Sequence, residues 1–144
     1  MGWRWAIMVV FGVVASSVGC QKGPVPTYPV SGAVTVKNQA SMAGGRVEFR
    51  LVDNPHFIVS RGYIGADGTY TLGTFDLQDG APAGKHRVVV YAPSPPGDHD
   101  ASPRVKSVID PKYLAYETSG IEVEVTEDAD KNKFPLSLDP NPYR

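Results

Sequence analysis

The chain has 144 residues, of which 15 are Gly and 13 are Pro, and its formal net charge at pH 7 is −1. This length fits one ordinary domain, and a charge so close to zero gives no electrostatic basis for binding nucleic acid. A single cysteine, Cys20, excludes an intrachain disulfide. Frequent Gly and Pro favour many short strands and turns over long helices.

The first 19 residues have the pattern of an export signal. Arg4 supplies a positive start, and residues 5–18 are all apolar, Gly or Ser. As a helix at about 1.5 Å per residue, this stretch reaches only ~21 Å, short of the ~30 Å hydrocarbon core of a membrane. A helical signal peptide is therefore predicted, and not a membrane-spanning helix.

The signal segment ends in a small residue, Gly19, directly before Cys20. This pair resembles the lipobox of bacterial lipoproteins. The resemblance implies cleavage after Gly19 and a lipid on the sulfur of Cys20, which becomes the new N-terminus. Ser17 departs from the pattern, because an aliphatic residue is usual there. Secretion after ordinary cleavage at Ser17 or Gly19 is thus the alternative.

Residues 20–28 are predicted to be the lipidated cysteine and a tether containing Pro and Gly, which would hold a domain close to the membrane. In lipoproteins of bacteria with two membranes, Asp after the cysteine favours the inner membrane. Gln21 occupies that position here, which indicates the outer membrane. The expected location is the bacterial cell envelope, with the protein held by its lipid anchor.

From Val30 onward, apolar and polar residues alternate with the period of half-buried strands. Seven strands are predicted, at residues 30–36, 47–51, 58–64, 70–72, 85–92, 121–125 and 134–138. In the first strand Val30, Gly32, Val34 and Val36 share the inner face. Because Pro135 cannot donate to a ladder, the last strand is predicted at a sheet edge.

The connections between these strands carry turn and loop signals. Ala66-Asp67-Gly68 predicts a hairpin turn between the third and fourth strands, and residues 75–84 are predicted to be a loop. The long connection 93–120 begins with a polar, proline-rich half that is predicted to be mobile. In its second half, Asp110-Pro111 predicts the start of a helix of about one turn.

Seven short strands with frequent turns predict an all-β fold, a seven-stranded Greek-key β-sandwich of transthyretin-like or immunoglobulin-like type. The predicted boundaries are 1–19 for the signal peptide, 20–28 for the cysteine and tether, 29–139 for the sandwich and 140–144 for a short tail. The sequence leaves the oligomeric state open.

Three segments, in this order, carry a family resemblance: Tyr28–Thr35 (YPVSGAVT), Gly65–Leu72 (GADGTYTL) and Gly80–Val88 (GAPAGKHRV). With the cysteine signal, they resemble small bacterial lipoproteins that carry a carboxypeptidase regulatory-like, transthyretin-like domain. The resemblance implies a prealbumin-like sandwich with no assigned activity. Gly65 and His86 depart from the family pattern, in which an acidic and an aromatic residue are usual.

No catalytic site is predicted. The sequence has no Gly-x-Ser-x-Gly elbow and no plausible Ser, His and Asp set. Hydroxyisourate hydrolases share the resembled fold but end in Tyr-Arg-Gly-Ser, whereas this chain ends at Tyr143-Arg144. A covalent Lys37–Asn141 link, known from related adhesin domains, is not expected because the required glutamate is absent. A hydrolase remains the alternative to a non-enzymatic role.

No metal or cofactor site is predicted either. His99 with Asp98 and Asp100, or Asp76 with Asp79, could contribute to a metal or calcium site, which is a further alternative. Calcium needs roughly six to eight oxygen ligands, and two side chains do not supply them. Loop and turn roles are favoured for these residues. His86 is predicted to be a partly buried strand residue, and Glu122 and Glu124 to lie on a solvated face.

The sequence therefore predicts a non-catalytic binding or structural module of the cell envelope. Its partners would be the membrane, through the lipid anchor, and envelope proteins or glycans. Long loops carry function on such scaffolds. The predicted contact surface is either the connection 93–120 or the end bearing residues 53–57 and 76–82.

Overall fold

The computed structural model describes residues 25–37, 42–93 and 107–143. These residues form nine strands: β1 Thr27–Tyr28, β2 Ser31–Val36, β3 Arg46–Leu51, β4 Val59–Tyr63, β5 Thr69–Thr71, β6 Ala81–Pro82, β7 Gly84–Tyr91, β8 Glu122–Val125 and β9 Leu136–Leu138. Two 3₁₀ helices span Pro111–Leu114 and Ala129–Lys131. The predicted all-β class is confirmed. The signal segment, Gly19 and Cys20 lie outside the described residues.

The strands form three sheets. The largest has the order β4-β3-β7-β8 and is antiparallel throughout. In the second, β5-β2-β9, strand β5 is antiparallel and β9 parallel to β2. The third is the β1-β6 pair. The predicted count of seven strands is wrong, because it omits β1 and β6. Two residues are too few to show an alternating pattern, so the sequence gives no sign of them.

The two larger sheets face each other across one buried core. Phe49 on β3 lies near its centre, with its ring 6.2 Å from that of Tyr70 and 6.1 Å from those of His86 and Phe134, measured between centroids. The remaining core is mainly aliphatic and includes Val30, Val34, Val36, Val47, Leu72, Val88, Val90, Ile109, Val125 and Leu138. The inner face predicted for the first strand is confirmed. The fold is thus sandwich-like.

The turn between β4 and β5 forms as predicted, but the hairpin does not. The Gly65 N–H donates to the Thr69 carbonyl at 2.8 Å, and Gly68 has a φ of 82° that suits Gly. Beyond the turn, β4 pairs with β3 and β5 pairs with β2, in different sheets. The two segments pair with each other again at Arg61 and Gly73, through N–H to carbonyl hydrogen bonds of 2.8 and 2.9 Å. A turn signal fixes where the chain reverses, but not which strands pair.

The predicted tether ends earlier than expected. Thr27 and Tyr28, the last two residues of the predicted tether, form β1 and pair with Pro82 and Ala81 of β6. Strand β6 lies within the predicted 75–84 loop, so that prediction is also wrong there. A Cβ on Gly80, whose φ is 91°, would lie 1.9 Å from the Tyr28 carbonyl oxygen. Glycine is required for this close approach.

The predicted tail is also part of the folded body. Pro140 bridges to Ile109, and the Asn141 side chain is buried and donates to the Ser107 carbonyl at 3.0 Å. The Asn141 N–H donates to the Val108 carbonyl at 3.1 Å. These bonds hold the C-terminal residues against the second half of the long connection.

Two other local predictions are confirmed. Strand β9 lies at the end of its sheet, as expected from Pro135. The Asp110 side chain accepts a hydrogen bond from the Lys112 N–H at 2.9 Å, and the 3₁₀ helix begins at Pro111. The proline-rich half of the connection, for which mobility is predicted, lies outside the described residues apart from Pro93.

Candidate functional site

The divergence of β4 and β5 leaves an open groove between the 65–68 turn and the Arg61–Gly73 bridge. Its volume is about 650 Å³, and we call it the β4–β5 groove. It is lined chiefly by Arg61, Tyr63, Thr69, Thr71, Phe75 and Gln78. The groove thus results directly from the switch of sheets that the turn signal did not predict.

The groove presents aromatic rings beside hydrogen-bonding groups. The side chain of Tyr63 is 74% exposed and that of Phe75 is 41% exposed. Thr69 and Thr71 are also exposed, and Arg61 adds a guanidinium on a side chain that is 57% exposed. Such a surface can stack against a flat apolar face and at the same time donate to and accept from hydroxyl or carbonyl groups.

A nearly buried carboxylate, Glu48, holds the guanidinium of Arg61 in place. One Glu48 oxygen, Oε1, lies 3.0 Å from Nε of both Arg61 and Arg46. The other, Oε2, accepts a hydrogen bond from the Tyr116 hydroxyl at 3.1 Å. Burial, followed by the nearby Glu48 charge, raises the pKa of Tyr116. An Arg fixed in this way loses less side-chain entropy when it binds a ligand.

The alternation that predicts strand 47–51 gives no sign of this cluster. Glu48 alternates with the core residues Val47 and Phe49 and so lies on the outer face of the sheet. Burial comes from Tyr116, which the long connection brings over the outer face of the sheet. Its ring also lies 3.9 Å below the guanidinium of Arg50. The arginines on either side of Glu48 in the sequence, Arg46 and Arg50, were the signal that could have indicated a charged cluster on this face.

The loop 73–80, at one end of the groove, is held by Asp79. Its carboxylate accepts hydrogen bonds from the N–H groups of Thr74, Phe75 and Asp76 at 2.6, 3.2 and 3.2 Å. Thr74 also donates from its hydroxyl to the Gly80 carbonyl at 2.6 Å. The oxygens of Asp79 are therefore occupied within the loop, which presents Phe75 to the groove in a defined position.

The loop 52–58 lies at the same end of the sandwich. The Val52 N–H donates to the Lys85 carbonyl near the start of β7, and the Asn54 side chain accepts from the His56 N–H at 2.8 Å. Phe57 has a φ of 49° and is 77% exposed. Left-handed backbone is unfavourable for a bulky residue. The loop therefore keeps the Phe57 ring exposed to water although the backbone conformation there is unfavourable.

At the opposite end, one carboxylate joins three segments. Asp139 lies 2.7 Å from the ammonium of Lys37 and 2.8 Å from that of Lys112, and it accepts from the Tyr113 hydroxyl at 3.0 Å. Bonds from Lys112, then Lys37 and Tyr113, hold the pKa of Asp139 well below its usual range. Lys37 thus contacts Asp139, whereas Asn141 bonds to Ser107.

The remaining candidate residues lie apart from one another. Glu122 pairs with Arg87 at 3.2 Å on the outer face of the large sheet. His99 and its neighbouring acids lie outside the described residues. Within residues 25–37, 42–93 and 107–143, no three His, Cys, Asp or Glu side chains are grouped so that they could hold a metal ion. The same residues contain no helix long and apolar enough to cross a bilayer.

His86 is fully buried, more deeply than predicted. Its Nε2 lies 2.9 Å from the Pro82 carbonyl oxygen, and its ring packs near Phe49. Burial lowers the pKa of His86, against the opposing effect of the Pro82 and Phe49 carbonyls. The imidazole is therefore neutral in the folded protein at pH 7.

The stability of the domain is expected to fall in acid because of His86. Below the ordinary pKa of 6.5 the unfolded chain takes up a proton that the folded protein excludes, and unfolding becomes easier until the lowered folded pKa is reached. His86→Leu should flatten this slope by at most about 1.4 kcal/mol per pH unit. Urea unfolding between pH 7.5 and 5 measures it. His56→Leu, at an exposed position, is the control. If the free energy of unfolding of His86→Leu depends on pH as steeply as that of the wild type, His86 is not the cause of the loss of stability in acid.

Comparisons with known proteins leave the family of this chain open. No family model matches it, and no curated protein matches it. Among solved structures it is similar to a DUF3823 family protein from Parabacteroides merdae, with 14% sequence identity and a TM-score of 0.45. The match covers 83% of this chain and 48% of that structure, so the chain spans about half the length of its neighbour.

Proposed function

We propose that this protein is a non-catalytic, lipid-anchored module of the bacterial cell envelope that binds an envelope polysaccharide in the β4–β5 groove. The observation that carries the proposal is the position of the exposed Tyr63 ring beside Arg61 and the hydroxyls of Thr69 and Thr71. Sugar rings combine an apolar face with a rim of hydroxyls. This groove offers a partner for each.

The shape of the groove favours a chain-like ligand over a small metabolite. Small-molecule sites bury most of their ligand in a concave, mainly apolar pocket. Here the groove is open along the flank of the sandwich, and its polar groups lie next to exposed rings. A polysaccharide strand can lie along such a groove and gain from several weak contacts in succession.

The sequence also supports a lipid anchor and a transthyretin-like fold. Gly19-Cys20 after an apolar stretch supports cleavage there and lipidation of Cys20, and Gln21 after the cysteine supports placement in the outer membrane. The order of the three family-like segments and the two facing sheets support a transthyretin-like, Greek-key arrangement of the seven longer strands. The tether would hold the groove close to the membrane surface, where envelope polysaccharides are concentrated.

Affinity electrophoresis in gels containing polysaccharides extracted from bacterial envelopes tests the binding. We expect at least one of them to retard the wild-type protein. Tyr63→Ala should weaken that binding about tenfold or more, which corresponds to about 1.4 kcal/mol lost with an aromatic contact. Thr71→Ala should weaken it less, because one hydroxyl contributes a single hydrogen bond of about 1 kcal/mol.

The matched control is Tyr143→Ala. Tyr143 is also a highly exposed tyrosine, at 87%, but it follows the Pro140–Ile109 bridge at the end away from loop 73–80. This variant should bind as the wild type does. If Tyr63→Ala and Tyr143→Ala are retarded equally, the β4–β5 groove is not the binding site. Failure of every polysaccharide to retard the wild type would remove the ligand class.

A further inference from the structure

The first described strand shows where the tether joins the domain. Strand β1 pairs with β6, which directly follows loop 73–80, and Gly80 contacts the Tyr28 backbone. Loop 52–58 leaves β3 beside the start of β7, where Val52 bonds to Lys85. The tether, loop 52–58 and loop 73–80 therefore share one end of the sandwich. We call it the tether end.

The tether end carries two strongly exposed apolar side chains. Leu77 in loop 73–80 is 92% exposed, and Phe57 in loop 52–58 is 77% exposed. All three non-glycine residues with positive φ in the described part of the chain lie in these loops: Asp53, Phe57 and Gln78. Two loops of unfavourable backbone conformation thus present apolar tips to the outside, where burial against an apolar phase would stabilise them.

The length of the tether limits how far this end can lie from a lipid on Cys20. Six residues, 21–26, separate Cys20 from Thr27 at the start of β1. The seven Cα-to-Cα steps from Cys20 to Thr27 span no more than about 25 Å when fully extended, and any bend shortens that distance. The start of β1 therefore lies within about 25 Å of a lipidated Cys20, which keeps the tether end near the bilayer surface.

We propose that Phe57 and Leu77 insert into the surface of the bilayer that holds the lipid of Cys20, so that the domain sits on the membrane in one orientation. This inference rests on the lipid anchor of the proposed function. The two tips add apolar contacts to an anchor that already confines the protein to the surface. Leu77 also lines the end of the β4–β5 groove nearest loop 73–80, so that end of the groove would lie at the membrane surface.

Charge at the tether end favours a zwitterionic lipid surface. The loops 52–58, 73–80 and 126–134 together contain six carboxylates and two lysines. An anionic surface would repel this excess of negative charge. Vesicles of phosphatidylcholine are therefore the appropriate probe of insertion.

Tryptophan fluorescence tests the orientation. The sequence has two tryptophans, Trp3 and Trp5, and both would leave with the signal peptide. Phe57→Trp and Leu77→Trp therefore each place one fluorophore at the tether end, and Tyr143→Trp places one at the other end. The lipidated proteins are purified from membranes and reconstituted in phosphatidylcholine vesicles, with and without brominated acyl chains. We expect a blue shift and bromine quenching at positions 57 and 77, and neither at 143.

Sedimentation with vesicles and intact mass distinguish a wrong orientation from a missing lipid anchor. If positions 57 and 77 are as unquenched as position 143 while the proteins sediment with vesicles, the anchor is retained and the orientation is wrong. If intact mass shows no lipid and the proteins stay in the supernatant, the anchor is wrong and the orientation fails with it. Unchanged thermal melting of each variant shows that the new tryptophan leaves the fold intact.

Discussion

Phe49→Ala is expected to lower the free energy of unfolding by about 3–5 kcal/mol, the usual cost of emptying a buried aromatic site. Phe49 is fully buried, and its ring packs near Tyr70, His86 and Phe134. Tyr70 lies in the sheet opposite to β3, so the Phe49 ring packs between the two larger sheets and its removal weakens their contact. Since small domains have about 5–15 kcal/mol in total, this variant should lose a large fraction of its stability.

The control for this variant removes the same ring at an exposed position. Phe75→Ala should change the free energy of unfolding by no more than about 0.5 kcal/mol, as is usual on the surface. Urea unfolding followed by far-UV circular dichroism measures both. A cost for Phe49→Ala no greater than that for Phe75→Ala would show that the core is not centred on this ring.

Gly32→Ala is expected to destabilise the domain by about 1–3 kcal/mol through overpacking. An added Cβ would lie 2.1 Å from the Phe134 carbonyl oxygen and 2.6 Å from the Tyr70 hydroxyl. These two groups share a 2.7 Å hydrogen bond, and its loss would add about 1 kcal/mol. Strand β2 would have to move away from the segment that leads into β9.

Gly120→Ala is the control that separates steric crowding from the cost of a left-handed backbone conformation. Gly120 has a φ of 66° with nothing near its Cβ position, so Gly120→Ala should cost about 1–2 kcal/mol from left-handed strain alone. Gly32 has no positive φ, and its cost comes from crowding. Weakening the Tyr70–Phe134 bond should also release the tyrosine hydroxyl, which ultraviolet difference spectra report. An unchanged tyrosine spectrum in Gly32→Ala, with wild-type stability, would contradict the close approach.

The sequence predicts the longer strands well because one face of each is buried. Alternation located seven of them within two residues of their observed bounds, and it identified the inner face of the first. Asp110-Pro111 and Pro135 were informative for a similar reason: a capping carboxylate and a missing N–H act locally. Local geometry and burial are the properties that a single sequence records directly.

Long-range pairing was not predictable in the same way. The Ala66-Asp67-Gly68 turn signal is local, whereas the separation of β4 and β5 depends on partners β3 and β2 elsewhere in the chain. The β4–β5 groove, and with it the choice of Tyr63, followed only from that separation. Glu48 was missed for a related reason, since Tyr116 reaches it from 68 residues away.

Of the two contact surfaces expected from the sequence, the end bearing residues 53–57 and 76–82 is the better defined. Its loops are held by Asn54 and Asp79, and they position Phe57 and Leu77. In the other, 93–120, the described half instead packs onto the domain through Tyr113 and Tyr116. Part of that expected contact surface is therefore occupied by the protein itself.

Intact-mass spectrometry of the protein purified from bacterial membranes tests the lipid anchor most directly. We expect a mature chain that begins at Cys20, lacks residues 1–19 and carries the added mass of acyl chains, and we expect Cys20→Ala to leave the membrane fraction. An unmodified chain beginning at residue 18 or 20 would indicate simple secretion. A full-length chain that stays in the membrane with alanine at position 20 would show that the apolar segment itself is the anchor, and it would contradict lipidation of Cys20.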